Sequence, residues 1–141
     1  MVYLDTSVLV ALIVPEPRSA AVEKWYGRSR GELVSAHWCI TEFASALGIK
    51  QRTGQLQASE AHEAWERFGR LVDNDLTLLS LTPLSFHRAA ALALGASNAL
   101  KAGDALHLAC AEQGGAKTIA TLDAGLARNA QRLKIKPVAF P

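Results

Sequence analysis

The chain has 141 residues, of which 50% are hydrophobic and 20% are charged, and its formal net charge is +2. This composition is ordinary for a globular protein and excludes a disordered or fibrous chain, and the length suits one domain with its own core, residues 1–141. The small positive charge permits nucleic-acid binding but does not by itself indicate it.

Short apolar runs alternate with segments of helical periodicity along the whole chain. We predict strands at 2–4, 32–36, 76–81, 118–122 and, at a sheet edge, 137–140. We predict helices over 8–14, 18–26, about 40–54, around 61–72, 83–94, 104–112 and 124–130. Thr82 and Pro83 mark one helix start, as N-cap and first helical residue. This order predicts an α/β fold with a mostly parallel sheet and helices on both faces.

The two cysteines and four histidines are scattered and include no C-x-x-C pair, which argues against a zinc site. Cys39 and Cys110 lie in apolar segments, where a free thiol packs in the core and suits a reducing cytoplasm. The apolar opening lacks a basic segment and contains Asp5, so we interpret it as folded structure and not as a signal peptide. No uncharged stretch reaches the ~18 residues of a membrane span.

Four of the thirteen acidic residues interrupt apolar segments, whereas the others lie in polar or turn-rich surroundings. These four are Asp5, Glu42, Asp104 and Asp123. A carboxylate in apolar surroundings is costly unless it is paired, hydrogen-bonded or bound to a metal. Glu42 is the most informative, because no cationic residue lies three or four positions from it and no local ion pair can compensate it.

The predicted sheet brings these acids toward one edge. Asp5 and Asp123 follow predicted strands at their carboxyl ends, where open parallel sheets bind ligands, and Asp104 begins a helix near the same edge. Clustered carboxylates repel one another and therefore require cations or shared protons. Oxygen ligands without His or Cys select hard ions such as Mg²⁺ or Mn²⁺. The pattern therefore predicts a metal site.

Each acid also has an ordinary structural alternative. Asp104 and Asp123 are each suited to capping a helix, and Asp5 is suited to a turn. Glu42 would need no partner if its helix face were solvated. His107, one turn after Asp104, is a candidate for orienting that carboxylate, and a core or boundary position is equally open to it.

At these residues the sequence resembles the PIN-domain ribonucleases and, within them, the VapC-type toxins of prokaryotic toxin and antitoxin pairs. The resemblance spans nearly the whole chain and rests on four segments in order, VYLDTSVLVALI, ITEFASAL, LKAGDALHLACA and TIATLDAGLARNA. It implies an α/β/α sandwich with about four or five strands. It also implies an acidic quartet, which falls on the same four residues.

The resemblance further implies a Mg²⁺- or Mn²⁺-dependent endoribonuclease that cuts single-stranded or looped RNA. Such enzymes are usually homodimers, and a VapB-type antitoxin inhibits them by docking over the active site. In metal-assisted hydrolysis the ion activates water and neutralises charge on the phosphate. We expect Asp5 and Asp104 to be direct ligands, with Glu42 and Asp123 completing the set directly or through water.

Several further residues are candidates for supporting roles. Thr6 and Ser7 follow the first acid, as hydroxyl residues do in this family, and are candidates for holding a carboxylate or a water. Thr121, two residues before Asp123, is a candidate supporting hydroxyl. Arg18 and Lys101 are candidates for holding RNA phosphates, with solvated surface as the alternative.

The three tryptophans are candidates for contacting RNA bases. Trp25, Trp38 and Trp65 could stack RNA bases, but their apolar helical positions favour packing.

The sequence also bears on other functions. A haloacid-dehalogenase phosphatase also has Asp after its first strand, yet it needs D-x-D and the third position here is Ser7. A housekeeping nuclease on RNA or single-stranded DNA and a non-catalytic RNA-binding domain stay open as alternatives.

Overall fold

The computed structural model describes the whole chain, Met1–Pro141. Its strands are β1 (Val2–Leu4), β2 (Leu33–Ala36), β3 (Leu76–Leu79), β4 (Thr118–Ala120) and β5 (Lys136–Pro137). They form one sheet in the order β3-β2-β1-β4-β5, and every pairing is parallel. The predicted α/β class and the count of about four or five strands are therefore confirmed, and the sheet is parallel throughout.

Seven helices connect the strands. They are α1 (Thr6–Ile13), α2 (Ser19–Arg28), α3 (Trp38–Arg52), α4 (Ala58–Asp75), α5 (Pro83–Leu94), α6 (Ala102–Gln113) and α7 (Ala124–Arg132). A short 3₁₀ turn over Ala96–Asn98 joins α5 to α6. All the predicted helices are present, although several begin and end at other residues than expected. None of the helices is both long and apolar enough to cross a bilayer.

The helices cover both faces of the sheet. Successive residues of a strand point to opposite faces, and β1 illustrates this because Tyr3 and Leu4 are both fully buried in different cores. Tyr3 packs with residues of α5, α6 and α7. Leu4 packs with residues of α1, α2, α3 and α4. The architecture is thus the α/β/α sandwich that the resemblance implies.

The cysteines and tryptophans occupy packing positions. Cys39 and Cys110 are free and buried on opposite faces of the sheet. Trp25 and Trp38 are partly buried against the two cores, as is expected of apolar helical positions. Trp65 stacks at an angle on Phe68 with ring centroids 5.5 Å apart, but 39% of it remains exposed.

The direction in which the chain adds strands reverses between β1 and β4. After β1 the chain adds β2 and β3 on one side, then returns to add β4 and β5 on the other. The connections that leave β1 and β4 therefore diverge, and open α/β sheets bind ligands in the crevice at such a point. Asp5 follows β1 directly, and Asp123 lies just beyond β4, so both stand at this crevice.

Candidate active site

Asp5 is buried at the end of β1, where it also caps α1. Its Oδ1 accepts hydrogen bonds from the Val8 backbone N–H at 3.2 Å and from the Ser7 hydroxyl at 2.6 Å, and its Oδ2 accepts one from the Thr121 hydroxyl at 2.6 Å. Burial raises the pKa of Asp5, although the bonds from Ser7 and Thr121 act in the opposite direction. The carboxylate is therefore held in one orientation.

Two hydroxyl groups connect Asp5 to the segment that follows β4. The Ser7 hydroxyl oxygen accepts a hydrogen bond from the Leu122 backbone N–H at 3.0 Å, and the Thr121 hydroxyl oxygen accepts one from the Asp123 backbone N–H at 3.0 Å. Predicted strand residues 121 and 122 leave the sheet at this point. The Thr121 hydroxyl thus supports the Asp5 carboxylate and the Asp123 backbone, not the Asp123 carboxylate.

Glu42 reaches the crevice from α3. Its Oε1 accepts a hydrogen bond from the Thr6 hydroxyl at 2.6 Å and also contacts His107 Nε2. Burial by itself would raise the pKa of Glu42, but the His107 and Thr6 contacts lower it below its ordinary value. Glu42 is thus partly exposed at the cleft but is not without partners, and one of them, His107, comes from a distant helix.

His107 lies on α6 and is only 1% exposed. Its Nδ1 lies 2.7 Å from the Tyr3 hydroxyl, and its Nε2 lies 3.1 Å from Thr6 Oγ1 in addition to the Glu42 contact. Burial raises the pKa of Tyr3 far above its ordinary value, so the phenol stays protonated. Of the two alternatives open to His107, the core position is the one that the structure shows, and the carboxylate that it contacts is that of Glu42 and not that of Asp104.

Asp104 is the third residue of α6, whose N-cap position is Lys101. The helix-capping alternative for Asp104 is therefore wrong. Burial raises the pKa of Asp104, and the negative charges of Asp123, Asp5 and Glu42 raise it further. All three of the other acids thus lie within electrostatic reach of this carboxylate.

Asp123 is the exposed member of the four. It caps α7, because its Oδ1 accepts a hydrogen bond from the Leu126 backbone N–H at 2.8 Å. The capping alternative is therefore correct for Asp123. The cap fixes the carboxylate at the crevice while using only one of its oxygens.

Gly103 allows α6 to pack directly against Glu42. A Cβ at this position would lie 2.7 Å from Glu42 Oε2 and 3.3 Å from Trp38 Nε1. The Trp38 indole nitrogen is buried and forms no hydrogen bond of good geometry, although its proximity contributes to lowering the pKa of Glu42. Glycine therefore lets the backbone of α6 approach Glu42 Oε2 closely.

The donor chemistry of these residues fits a hard divalent cation, because carboxylate and hydroxyl oxygens are the ligands that Mg²⁺ and Mn²⁺ prefer. The side chains do not bring three Asp, Glu, His or Cys groups together in a closed ligand cage. An ion at the crevice would therefore be held partly through water, which is usual for Mg²⁺.

A cleft of about 570 Å³ opens beside the acids. Its lining includes Thr6, Ser7 and Glu42 together with two cationic residues, Arg18 and Lys50. Lys50 forms an ion pair with Glu16, and the exposed Arg18 guanidinium lies 5.9 Å from the Phe140 ring centroid.

Lys50 lines the cleft but was not among the basic residues predicted from the sequence to lie near the site. It lies eight positions after Glu42 on α3, and that helical spacing would have placed it on the same face. Lys101 is exposed at the start of α6 and does not line the cleft. Arg18 is thus the predicted cation that the structure brings to the cleft.

Comparison with known families agrees with this fold. A family model described as the PIN domain matches residues 2–132. The chain belongs to the PIN domain family. No curated protein gives a significant match to this PIN domain.

Solved structures similar to this PIN domain cover nearly the whole chain. VapC20 of Mycobacterium tuberculosis, described as a sarcin-ricin loop cleaving toxin, has a TM-score of 0.75 and 12% identity, covering 92% of this chain and 95% of that one. PAE2754 of Pyrobaculum aerophilum has a TM-score of 0.62 and 26% identity, covering 90% and 82%. VapBC2 of Rickettsia felis, bound to a promoter DNA fragment, has a TM-score of 0.63 and 13% identity, covering 100% of each chain.

Proposed function

We propose that this PIN domain is a divalent-metal-dependent endoribonuclease and the VapC-type toxin of a toxin–antitoxin pair. The observation that carries the proposal is the placement of Asp5 and Asp123 at the crevice between β1 and β4, linked through Thr121, with Asp104 near enough for the other acids to raise its pKa. Four mutually repelling carboxylates are costly in a protein that has no cation to neutralise them. Membership of the PIN domain family supports a nuclease.

In this proposal Asp5 and Asp104 bind the ion directly, and Glu42 and Asp123 complete the site directly or through water. The bound ion would activate water and neutralise negative charge on the phosphodiester. The protein's own part is to keep the carboxylates oriented. Ser7 and Thr121 hold both oxygens of Asp5, and Thr6 donates to Glu42 Oε1, so little reorganisation is needed when the substrate arrives.

RNA is the proposed substrate, and the cleft beside Glu42 is the proposed path of its backbone. Arg18 lines this cleft and is suited to phosphate oxygens, which contribute affinity without reading sequence, whereas Lys50 is paired with Glu16. Lys101, exposed at the start of α6, stays a candidate for a phosphate outside the cleft. Single-stranded DNA is the alternative substrate of the same chemistry.

The proposed partners are a VapB-type antitoxin and a second copy of this chain, and the proposed location is the cytoplasm. The similarity to VapBC2 of Rickettsia felis, solved on a promoter DNA fragment, supports the antitoxin. Three large apolar side chains exposed on α5, Leu84, Phe86 and Leu94, support a homodimer.

Cleavage of RNA by the purified protein with and without Mn²⁺ tests the proposed activity. We expect cleavage to require the ion and to fall about 100-fold or more in Asp5→Asn and Asp104→Asn, because each removes a charged ligand while keeping the side-chain shape. Asp73→Asn, an exposed position on α4, is the matched control and should cleave normally. Wild-type cleavage by Asp104→Asn, or cleavage that survives chelation, would contradict the proposal.

The same variants test the toxin role and the substrate. Expression of the wild-type chain should arrest bacterial growth, and Asp104→Asn should not. Normal growth with the wild-type chain, together with RNA cleavage in vitro, would favour a housekeeping nuclease. Faster cleavage of single-stranded DNA than of RNA would contradict RNA as the substrate.

A further inference from the structure

We propose that His107 is a positioning residue that aims Glu42 at the metal through a chain of hydrogen bonds from Tyr3 to His107 to Glu42. The proposal rests on the proposed function, in which Glu42 belongs to the ion's ligands. The three residues of this hydrogen-bond series come from three separate elements, because Tyr3 lies in β1, His107 in α6 and Glu42 in α3. The sequence distance between His107 and Glu42 is 65 positions.

The hydrogen-bonding capacity of each group determines which of them donates and which accepts. An ionised carboxylate only accepts hydrogen bonds, so a neutral imidazole facing Glu42 must carry its hydrogen on Nε2. Its Nδ1 is then an acceptor, and the Tyr3 hydroxyl 2.7 Å away is the donor. Tyr3 therefore selects the tautomer of His107 that can donate to Glu42.

This arrangement engages one oxygen of Glu42 and leaves the other available. His107 Nε2 and the Thr6 hydroxyl both meet Oε1. Oε2 instead lies against Gly103 at the start of α6, one residue before Asp104. Two donors on one oxygen fix the carboxylate plane, so Oε2 keeps this position beside Asp104.

Packing alone does not explain the pair of buried polar residues. Tyr3 and His107 are both essentially inaccessible to water, and buried polar groups are costly unless they are hydrogen-bonded. Tyr3 meets His107 edge-on with ring centroids 5.8 Å apart, a contact that phenylalanine would keep. The Tyr3 hydroxyl can therefore be removed separately from the packing of its ring.

The first experiment measures Mn²⁺ binding by electron paramagnetic resonance, alongside kcat and KM for RNA cleavage. His107→Leu should weaken Mn²⁺ binding about 10- to 100-fold and lower kcat with little change in KM, since it removes the donor to a ligand and leaves the cleft intact. His107→Gln offers an amide N–H in place of Nε2–H and should restore most of the binding. Tyr3→Phe should give an intermediate loss.

The second experiment reads the tautomer directly from imidazole ¹⁵N chemical shifts at pH about 8, where an ordinary histidine is neutral. We expect hydrogen on Nε2 in the wild-type protein, and a weaker preference for this tautomer in Tyr3→Phe, where Glu42 alone still favours it. Hydrogen on Nδ1 in the wild-type protein would overturn the proposal. This measurement needs no variant to fold and no metal.

The outcomes separate this inference from the proposed function. A wild-type protein that neither binds Mn²⁺ nor cleaves RNA contradicts the proposed function and the positioning role together. Wild-type Mn²⁺ binding that is unchanged in folded His107→Leu and in Tyr3→Phe contradicts the positioning role alone. Equal losses in His107→Leu and His107→Gln would also contradict it, because a donor at this position would then not matter.

Discussion

The Asp104 carboxyl group shows how the site affects the stability of the metal-free protein. Burial raises its pKa, and the charges of Asp123, Asp5 and Glu42 raise it further. The folded state therefore binds this proton more tightly than the unfolded state does. The free energy of unfolding therefore falls as pH rises from about 3.9, the ordinary pKa of Asp, through the raised pKa of the folded state. Above that raised pKa the loss of stability is complete.

Asp104→Asn should accordingly stabilise the metal-free protein at pH 7. Asp104 is partly exposed and water screens the repulsion, so we expect a gain of roughly 0.5–1 kcal/mol in the free energy of unfolding. The corresponding rise in Tm is roughly 2–4 °C. Thermal unfolding in a chelating buffer at pH 7 and at pH about 4 measures it, and the gain should be smaller at the lower pH because the folded protein then keeps more of this proton.

Asp73→Asn serves again as the comparison, because this exposed residue of α4 lies outside the crevice. It should leave Tm unchanged at both pH values. An unchanged or lower Tm for Asp104→Asn at pH 7 would show that the four acids do not repel one another as described.

The four acids could be singled out from the sequence, but their partners could not. Glu42 stands out because its helical neighbours include no cation. Its contact with His107 joins positions 65 apart, and no local pattern encodes such a contact. The Thr121 hydroxyl was likewise recognised as a supporting group, yet its acceptor, Asp5, lies 116 positions away.

At the scale of elements, the start of α6 determines how closely this helix approaches α3. Gly103→Ala would insert a Cβ 2.7 Å from Glu42 Oε2 and should displace this carboxylate. We expect RNA cleavage and Mn²⁺ binding to fall about 10-fold or more, as they do when a ligand's support is lost. Stability should change little, because alanine is the better helix former by about 1 kcal/mol and offsets part of the strain.

Gly69→Ala on α4 provides a matched control, since a Cβ there meets nothing within 4 Å. It should keep full activity and gain up to about 1 kcal/mol in the free energy of unfolding from helix propensity. Activity and Tm measured for both variants separate the two effects. Full activity in Gly103→Ala would contradict the close approach of α6 to Glu42.

Helix boundaries were predictable where the capping residues are distinctive. Thr82 and Pro83 begin α5 as expected, and the Thr82 backbone N–H donates to the Ser85 hydroxyl at 3.1 Å. The start of α6 was misplaced because its N-cap position, Lys101, makes no side-chain cap. The start of α1 at Thr6 was also missed, since apolar periodicity begins only at Val8.

At the scale of the whole molecule, three large apolar side chains of α5 are exposed to solvent. Leu84, Phe86 and Leu94 are 71%, 54% and 86% exposed. A second copy of this chain is the partner proposed to cover one or more of them, and Leu94, the most exposed, is the side chain to test. The homodimer is therefore expected to use α5.

Leu94→Glu should weaken this homodimer at least about 10-fold, because it puts a charge into the apolar contact. Sedimentation equilibrium measures the change in the dissociation constant. Ala20→Glu, an exposed position on α2, is the control and should dimerise normally. A monomeric wild-type protein, or a dimer unaffected by Leu94→Glu, would contradict this assignment.

The class of the fold followed from the alternation of apolar runs with helical segments, but the strand order did not. The pairing of β1 with β4 joins Val2 to Thr118 and depends on contacts across almost the whole chain. Parallel strands need long crossovers, and short apolar strands carry no local signal of their neighbours. The acids were therefore predicted as a group from the sequence, while the crevice at which Asp5 and Asp123 lie required the topology.

The pairing of β1 with β4 also has a consequence for biosynthesis. Asp5 leaves the ribosome early, but the hydroxyl of Thr121 that holds it is translated 116 positions later. A nascent chain can pair β1 with β2 and still lack half of the acidic residues at the crevice. Contacts so distant in sequence form late in folding. The complete site therefore forms only after β4 and the segment that follows it have been translated. Any hydrolytic activity is thus delayed until the polypeptide is nearly finished.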